Sequence, residues 1–237
     1  LIISFLLSTE EVGVYNILLT LSGLTTFLLI NLNKVFAPAI AKLYNENKFS
    51  ELNILYKKTT FLVNMVAVPL SVIIAIFADE ILVLYTADML QYKFFLFYML
   101  LGAMFSLAAG SSGTFMLMTG LEQQNLNILV TKSIAIIILS LFLVPIYGMI
   151  SVVILYVVFM LFVNCSQLFY IKRAINISPL SLNLIKIFCI TIITMYFAIN
   201  QDYVFDLLNF IFIPIGVYLL YFLLLFKPIK NLFRELL

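Results

Sequence analysis

Residues 9–48 read TEEVGVYNILLTLSGLTTFLLINLNKVFAPAIAKLYNENK. The stretch opens on two acids, Glu10 and Glu11, and runs apolar to Leu32. It leaves through Asn33, Lys34 and Pro38 into a basic, amphipathic tail. A segment of membrane length thus has an acidic end and a basic end, and this asymmetry sets a direction from which later spans alternate.

The rest of the composition agrees with a lipid solvent. The 237 residues are 65% hydrophobic and 10% charged, with a mean hydropathy of +1.19. A soluble domain carries about 45–50% apolar and about 25% charged residues, so a chain this apolar is read as a membrane protein. The net charge of +2 and the lack of any basic run beyond two residues argue against nucleic acid. No histidine is present, which removes the commonest general base and metal ligand. Cys165 and Cys189 both lie in apolar runs and are expected to be free, buried core residues. The chain begins with Leu1, and LIISFLL is too short to span. A signal peptide's basic n-region and cleavage site are not visible. Residues 1–7 therefore read as the end of a span cut from a larger protein.

Seven full spans are expected near 12–33, 58–78, 94–118, 126–144, 149–171, 183–200 and 204–226, each close to the ~20 residues a bilayer requires. The connector from Lys34 to Lys57 interleaves Ala41, Leu43, Tyr44, Leu52 and Leu55 with Lys42, Glu46, Lys48 and Glu51. It either lies as a helix along the headgroups or continues the first span as a solvated helix. With seven alternating spans, 12 of the 13 basic residues fall on one side, and Lys93 is the exception. The acids lean the other way, with Glu10, Glu11, Asp79, Glu80, Asp88, Asp202 and Asp206 opposite. The positive-inside rule makes the basic side, and the C-terminus, cytoplasmic. Tyr44, Tyr56, Tyr85, Tyr92, Tyr147, Tyr170 and Tyr203 near span ends suggest an interfacial belt. Lys132 and Lys186 are read as lying near cytoplasmic span ends and snorkelling. No ionisable residue is then expected deep in a span.

Two constellations could carry function. At ~100° per residue, Gly13, Asn16, Thr20, Gly23, Asn31, Lys34 and Pro38 share one face of the opening helix. Such a stripe either lines a hydrated cavity, with cationic Lys34 at its mouth, or glues helices together. The span 94–118 carries Gly102, Ser106, Gly110, Ser111, Ser112, Gly113 and Thr114 in small-xxx-small spacing. This permits tight packing or a bent, cavity-lining helix. Pro38, Pro69, Gly120 and Pro214 are candidate hinges or kinks. Pro145 is placed in a hairpin turn, VPIYG. Asp79-Glu80 reads as a solvated outer loop. Signatures of an enzyme are missing: there is no His dyad, no paired carboxylates within a span and no phosphate loop. No cofactor or metal is expected.

Six segments carry a resemblance: EEVGVYNILLTLSGL (10–24), NKVFAPAIAKLY (33–44), YKKTTF (56–61), AVPL (67–70), GSSGTFMLMTG (110–120) and VPIYGMISVVI (144–154). In this order they resemble the C-terminal half of bacterial polysaccharide (O-antigen type) flippases, the oligosaccharide-lipid branch of the superfamily that includes the MATE exporters. The resemblance implies an all-α, multi-pass membrane helix bundle: the tail of one span plus seven transmembrane helices. Residues 1–175 would form one lobe of a two-lobed, V-shaped transporter, and 176–237 two extra C-terminal helices. It further implies an undecaprenyl-pyrophosphate-linked oligosaccharide as substrate, membrane lipids and a missing N-terminal lobe as partners, and the bacterial cytoplasmic membrane as location. Asn16, Thr20, Gly23, Asn31, Lys34, Ser106, Gly110, Ser111, Gly113 and Thr114 are the candidate cavity residues. The alternatives make different demands. A multidrug or cation exporter of the sister branch calls for an acid inside a lobe. A membrane-embedded glycan enzyme calls for large outer loops with Arg, His or Asp. A structural subunit remains a further reading.

Overall fold

Ser8 starts the first long helix. Its hydroxyl accepts from the Glu11 amide at 3.2 Å, and the Glu11 carboxylate accepts from the Ser8 amide at 3.0 Å. This capping box satisfies two of the amide groups that every helix start leaves open. The computed structural model describes residues 5–199 and 207–224. Helix α1 spans Thr9–Asn45 and α2 Phe49–Ile76, while α3 is the short Ala78–Val83. A 3-10 turn at Ala87–Tyr92 leads into α4, Lys93–Ala109, and α5, Ser112–Met118. The remaining helices are α6 (Glu122–Tyr147), α7 (Met149–Ile175), α8 (Leu182–Ile199) and α9 (Leu207–Leu224). Every described element is helical, as a chain in hydrocarbon requires when it must satisfy its own backbone.

Five stretches are long and apolar enough to cross a membrane: Thr9–Asn45, Phe49–Ile76, Ala87–Met118, Glu122–Tyr147 and Met149–Ile175. The last two expected spans correspond to α8 and α9, each of 18 residues. The bundle is a multi-pass, all-α membrane fold. Residues 1–4, Tyr203 and the charges at Asp202, Asp206, Lys227, Lys230, Arg234 and Glu235 lie outside the described residues, so the topology they were used to infer is not observed there.

Three apolar clusters stack between the two ends. At the acidic end Leu18, Leu82, Leu96, Met99, Leu100 and Val153 are fully or almost fully buried. In the middle Val63, Val68, Val72 and Leu107 pack with Ile187 of α8 and Tyr221 of α9, so the two late helices dock against α2. At the basic end Ile40, Leu52, Tyr56, Phe115, Met116 and Ile171 close the bundle.

The basic-end cluster decides the connector. α1 continues unbroken to Asn45 and α2 begins at Phe49, so a turn at Glu46–Lys48 replaces the headgroup helix. The first span does continue, but not as a wholly solvated helix. Leu43, Tyr44 and Leu55 pack against the core rather than lipid. Two long helices that meet in this way bury each other's apolar stripe, which removes the reason to lie flat.

Other expectations change in the same way. Tyr56 is 1% exposed and belongs to the core, not to an interfacial belt. Tyr85, Tyr147 and Tyr170 are exposed as a belt requires. Cys165 and Cys189 are free but exposed. In a lipid-facing bundle the outer surface is also apolar, so an apolar neighbourhood in sequence does not place a thiol inside. Asp79 and Glu80 start helix α3 rather than a loop. Asp79 takes the Lys93 ammonium at 2.6 Å, which neutralises the basic residue that broke the charge segregation. Pro145 lies inside the last turn of α6, and Gly148 alone makes the hairpin at φ +61°, a value suited to glycine.

Candidate functional site

Helix α1 buries Val14, Leu18, Leu21, Ser22, Thr25 and Leu29. These positions fall on one face at 100° per residue, and the candidate stripe falls on the opposite face. Gly13, Asn16, Thr20, Lys34 and Pro38 are exposed, while Gly23 and Asn31 are half-buried. A methyl group added at Gly13 or Gly23 would meet nothing within 4 Å. These glycines therefore do not permit a close helix approach within the described bundle, and the glue reading is not met there. The Thr20 hydroxyl donates to the Asn16 carbonyl and the Asn31 amide to the Phe27 carbonyl, both at 2.8 Å. Phe27, 66% exposed, interrupts the stripe and divides it into an outer part and a part reaching Lys34.

The second constellation lies inside the bundle. The expected bend at AGSSG is a full break: α4 stops at Ala109, Gly110 takes φ +62°, and α5 restarts at Ser112. A break in hydrocarbon strands the last carbonyls of α4. Helix α2 supplies their partners. The Tyr56 hydroxyl donates to the Ala109 carbonyl at 2.7 Å, and the Asn64 amide donates to the Leu107 carbonyl at 2.6 Å. The Tyr56 ring stacks on Phe115, with centroids 4.7 Å apart. Gly110 has no room for a side chain, because an added Cβ would lie 2.2 Å from Thr60 Oγ1.

On the far side, α7 holds both halves of the broken helix. Asn164 donates to Ser106 Oγ at 3.0 Å. The Ser112 hydroxyl donates to Gln167 Oε1 at 2.7 Å, and Gln167 Nε2 donates to Asn125 Oδ1 of α6 at 2.8 Å. Gly113 lies under the Gln167 amide, Ser111 is 3% exposed, and Thr114 is half-buried. Gly102 similarly admits the Tyr156 ring, 2.8 Å from where a Cβ would stand. The structure thus separates the two groups. Asn16, Thr20, Gly23, Asn31 and Lys34 stand on an outer face, while Ser106, Gly110, Ser111, Gly113 and Thr114 form an internal joint.

The joint's key partners, Tyr56, Asn64, Asn125, Asn164 and Gln167, were not among the candidates. A signal was visible, since an amide side chain inside an apolar span needs a partner. Of the candidate hinges, Gly120 takes φ +74° between α5 and α6. Pro38 and Pro69 lie inside α1 and α2. Pro214 lies within α9.

Lys132 lines a second, separate feature of the bundle. α6 starts at Glu122, so Lys132 is ten residues in, about 15 Å along the axis at 1.5 Å per residue. It is half-buried and lines a cavity of about 180 Å³ between α1, α6 and α7. That puts Lys132 near the middle of the 26-residue helix α6.

No group of three or more His, Cys, Asp or Glu residues that could hold a metal occurs among the described residues. No curated protein and no solved structure matches the chain. The protein-family comparison returns MatE over residues 1–139, which covers α1 to α5 and two thirds of α6. That is more than half of this bundle of apolar helices, and the chain belongs to the MatE family of membrane transporters.

Proposed function

We propose that this protein translocates a lipid-linked oligosaccharide, an undecaprenyl-pyrophosphate-linked repeat unit, for surface polysaccharide biosynthesis. The observation that carries this reading is the polar face of α1, where Asn16, Thr20 and Lys34 are exposed among the described residues. Asparagine and threonine side chains facing hydrocarbon are costly, so a membrane helix keeps them where water or another protein surface meets them. A face of exposed Asn16 and Thr20 and half-buried Asn31 leading to cationic Lys34 suits a hydrated groove for a sugar head with an acidic linkage. The lipid tail stays in the bilayer. In this reading the described bundle is one lobe, and a second lobe of the same protein supplies the facing wall. Alternating access then moves the head group from the basic, cytoplasmic end to the outer end of a bacterial inner membrane.

The test is complementation of a strain lacking its own flippase with the full-length gene. Surface polysaccharide should return, and the triple change Asn16→Leu, Thr20→Leu, Asn31→Leu should abolish it at normal expression. Failure of the wild-type gene with verified expression, together with drug efflux by the same protein, would replace this reading with a multidrug exporter of the same family.

A further inference from the structure

The cavity around Lys132 has no part in the groove described above. Its walls are Tyr15 of α1, Lys132, Ile136 and Ser140 of α6, and Val152, Tyr156 and Met160 among others of α7. Among the described residues no carboxylate lies within ion-pair distance of Lys132. The surrounding helices carry acids only at their ends: Glu10 and Glu11 start α1, Glu122 starts α6, and α7 has none. A half-buried cation in a cavity between apolar helices is retained where an anion or trapped water meets it.

We infer that this cavity is a binding site for an oxyanion of phosphate size, held by the Lys132 ammonium with hydroxyl donors from Tyr15, Tyr156 and Ser140. Each of these polar groups can donate, and none of them carries negative charge, which selects an anion over a cation. The volume, about 180 Å³, equals the liquid share of roughly six waters at about 30 Å³ each. It takes a phosphate with a few waters but no sugar. The phosphate comes from either a lipid diphosphate entering from the bilayer or free phosphate. The lipid source deepens the flippase reading, and the site itself stands without it.

The experiment measures binding rather than transport, so its failure is distinct from failure of the flippase reading. The full chain in nanodiscs is titrated with a polyprenyl diphosphate, the neutral polyprenol and inorganic phosphate, by calorimetry. Lys132→Gln should weaken phosphate-probe binding by about tenfold or more. Lys132→Arg should retain it, and Lys172→Gln, in the last turn of α7, should leave it unchanged. Lys132-dependent binding of the lipid diphosphate at lower concentration than phosphate identifies a lipid source, and the reverse order identifies free phosphate. Either supports the site. Should Lys132→Gln not purify, Tyr15→Phe with Ser140→Ala carries the test, with about a fivefold loss expected. Binding within twofold of wild type in a monodisperse Lys132→Gln protein, or equal binding of the neutral polyprenol, overturns the inference.

Discussion

Gly110→Ala tests whether the broken helix is held as a built joint. Gly110 has φ +62° and ψ −141°, a region that is nearly closed to residues with a Cβ and costs of order 1–3 kcal/mol. The new methyl would also stand 2.2 Å from Thr60 Oγ1, 2.9 Å from its Cγ2 and 3.0 Å from its Cβ. Thr60 is 1% exposed and cannot swing into solvent, so overpacking adds about 1–3 kcal/mol. The total is about 2–6 kcal/mol, with the low end reached if α2 yields. The two terms can be separated. Thr60→Ala removes the clashing atoms, and Thr60 Oγ1 has no hydrogen-bond partner, so this change alone should be mild. In a Thr60→Ala, Gly110→Ala double variant the overpacking term should return, about 1–3 kcal/mol, while the backbone term stays. Unfolding by SDS in mixed micelles, followed by circular dichroism, measures all four proteins. A Gly110→Ala protein as stable as wild type would refute the joint. A double variant no more stable than the single would show that the steric account is wrong.

Gln167→Leu should leave the Ser112 hydroxyl and the Asn125 amide without their buried partners, at a cost of about 1–3 kcal/mol in the same unfolding assay. Glu46 offers a test of the turn between α1 and α2. The Lys48 ammonium, hydrogen-bonded to it with N and O 2.8 Å apart, holds its carboxyl below the ordinary value of 4.5. A lowered folded value means that the pair helps the folded turn above pH 4.5 and ceases to help as pH falls through the lowered midpoint. Carbon-13 NMR titration of Glu46 should show that midpoint below 4.5, and Lys48→Ala should raise it toward the ordinary value.

Much of the architecture was legible because hydrocarbon imposes simple demands. Span length, charge segregation and the lack of any alternative to helix follow from composition and hydropathy. The glycine and serine run at 110–113 suggested tight packing or a bend, and the structure shows a break there. The polar face of α1 followed from period alone, and it does lie away from the buried face. What composition could not supply was the inside and the outside of the bundle. In water an apolar residue is read as buried, but here both surfaces are apolar. Cys165, Cys189 and Tyr56 therefore could not be assigned from their neighbours.

The sequence by itself determined that this is a bundle of membrane helices with one end basic and the other acidic. It also determined that α1 has a polar face and that the third apolar stretch carries a serine and glycine run suited to tight packing or a bend. The tertiary structure decided which small and polar residues are exposed and which are spent on packing. Gly110 is closed by Thr60, while Gly13 and Gly23 face open space. It also decided that Tyr56 and Asn64 cap carbonyls 53 and 43 residues away, and that Lys132 lines a cavity with α1 and α7. Those pairings join helices far apart in sequence, and helical period fixes a residue's face without saying which helix, if any, stands opposite.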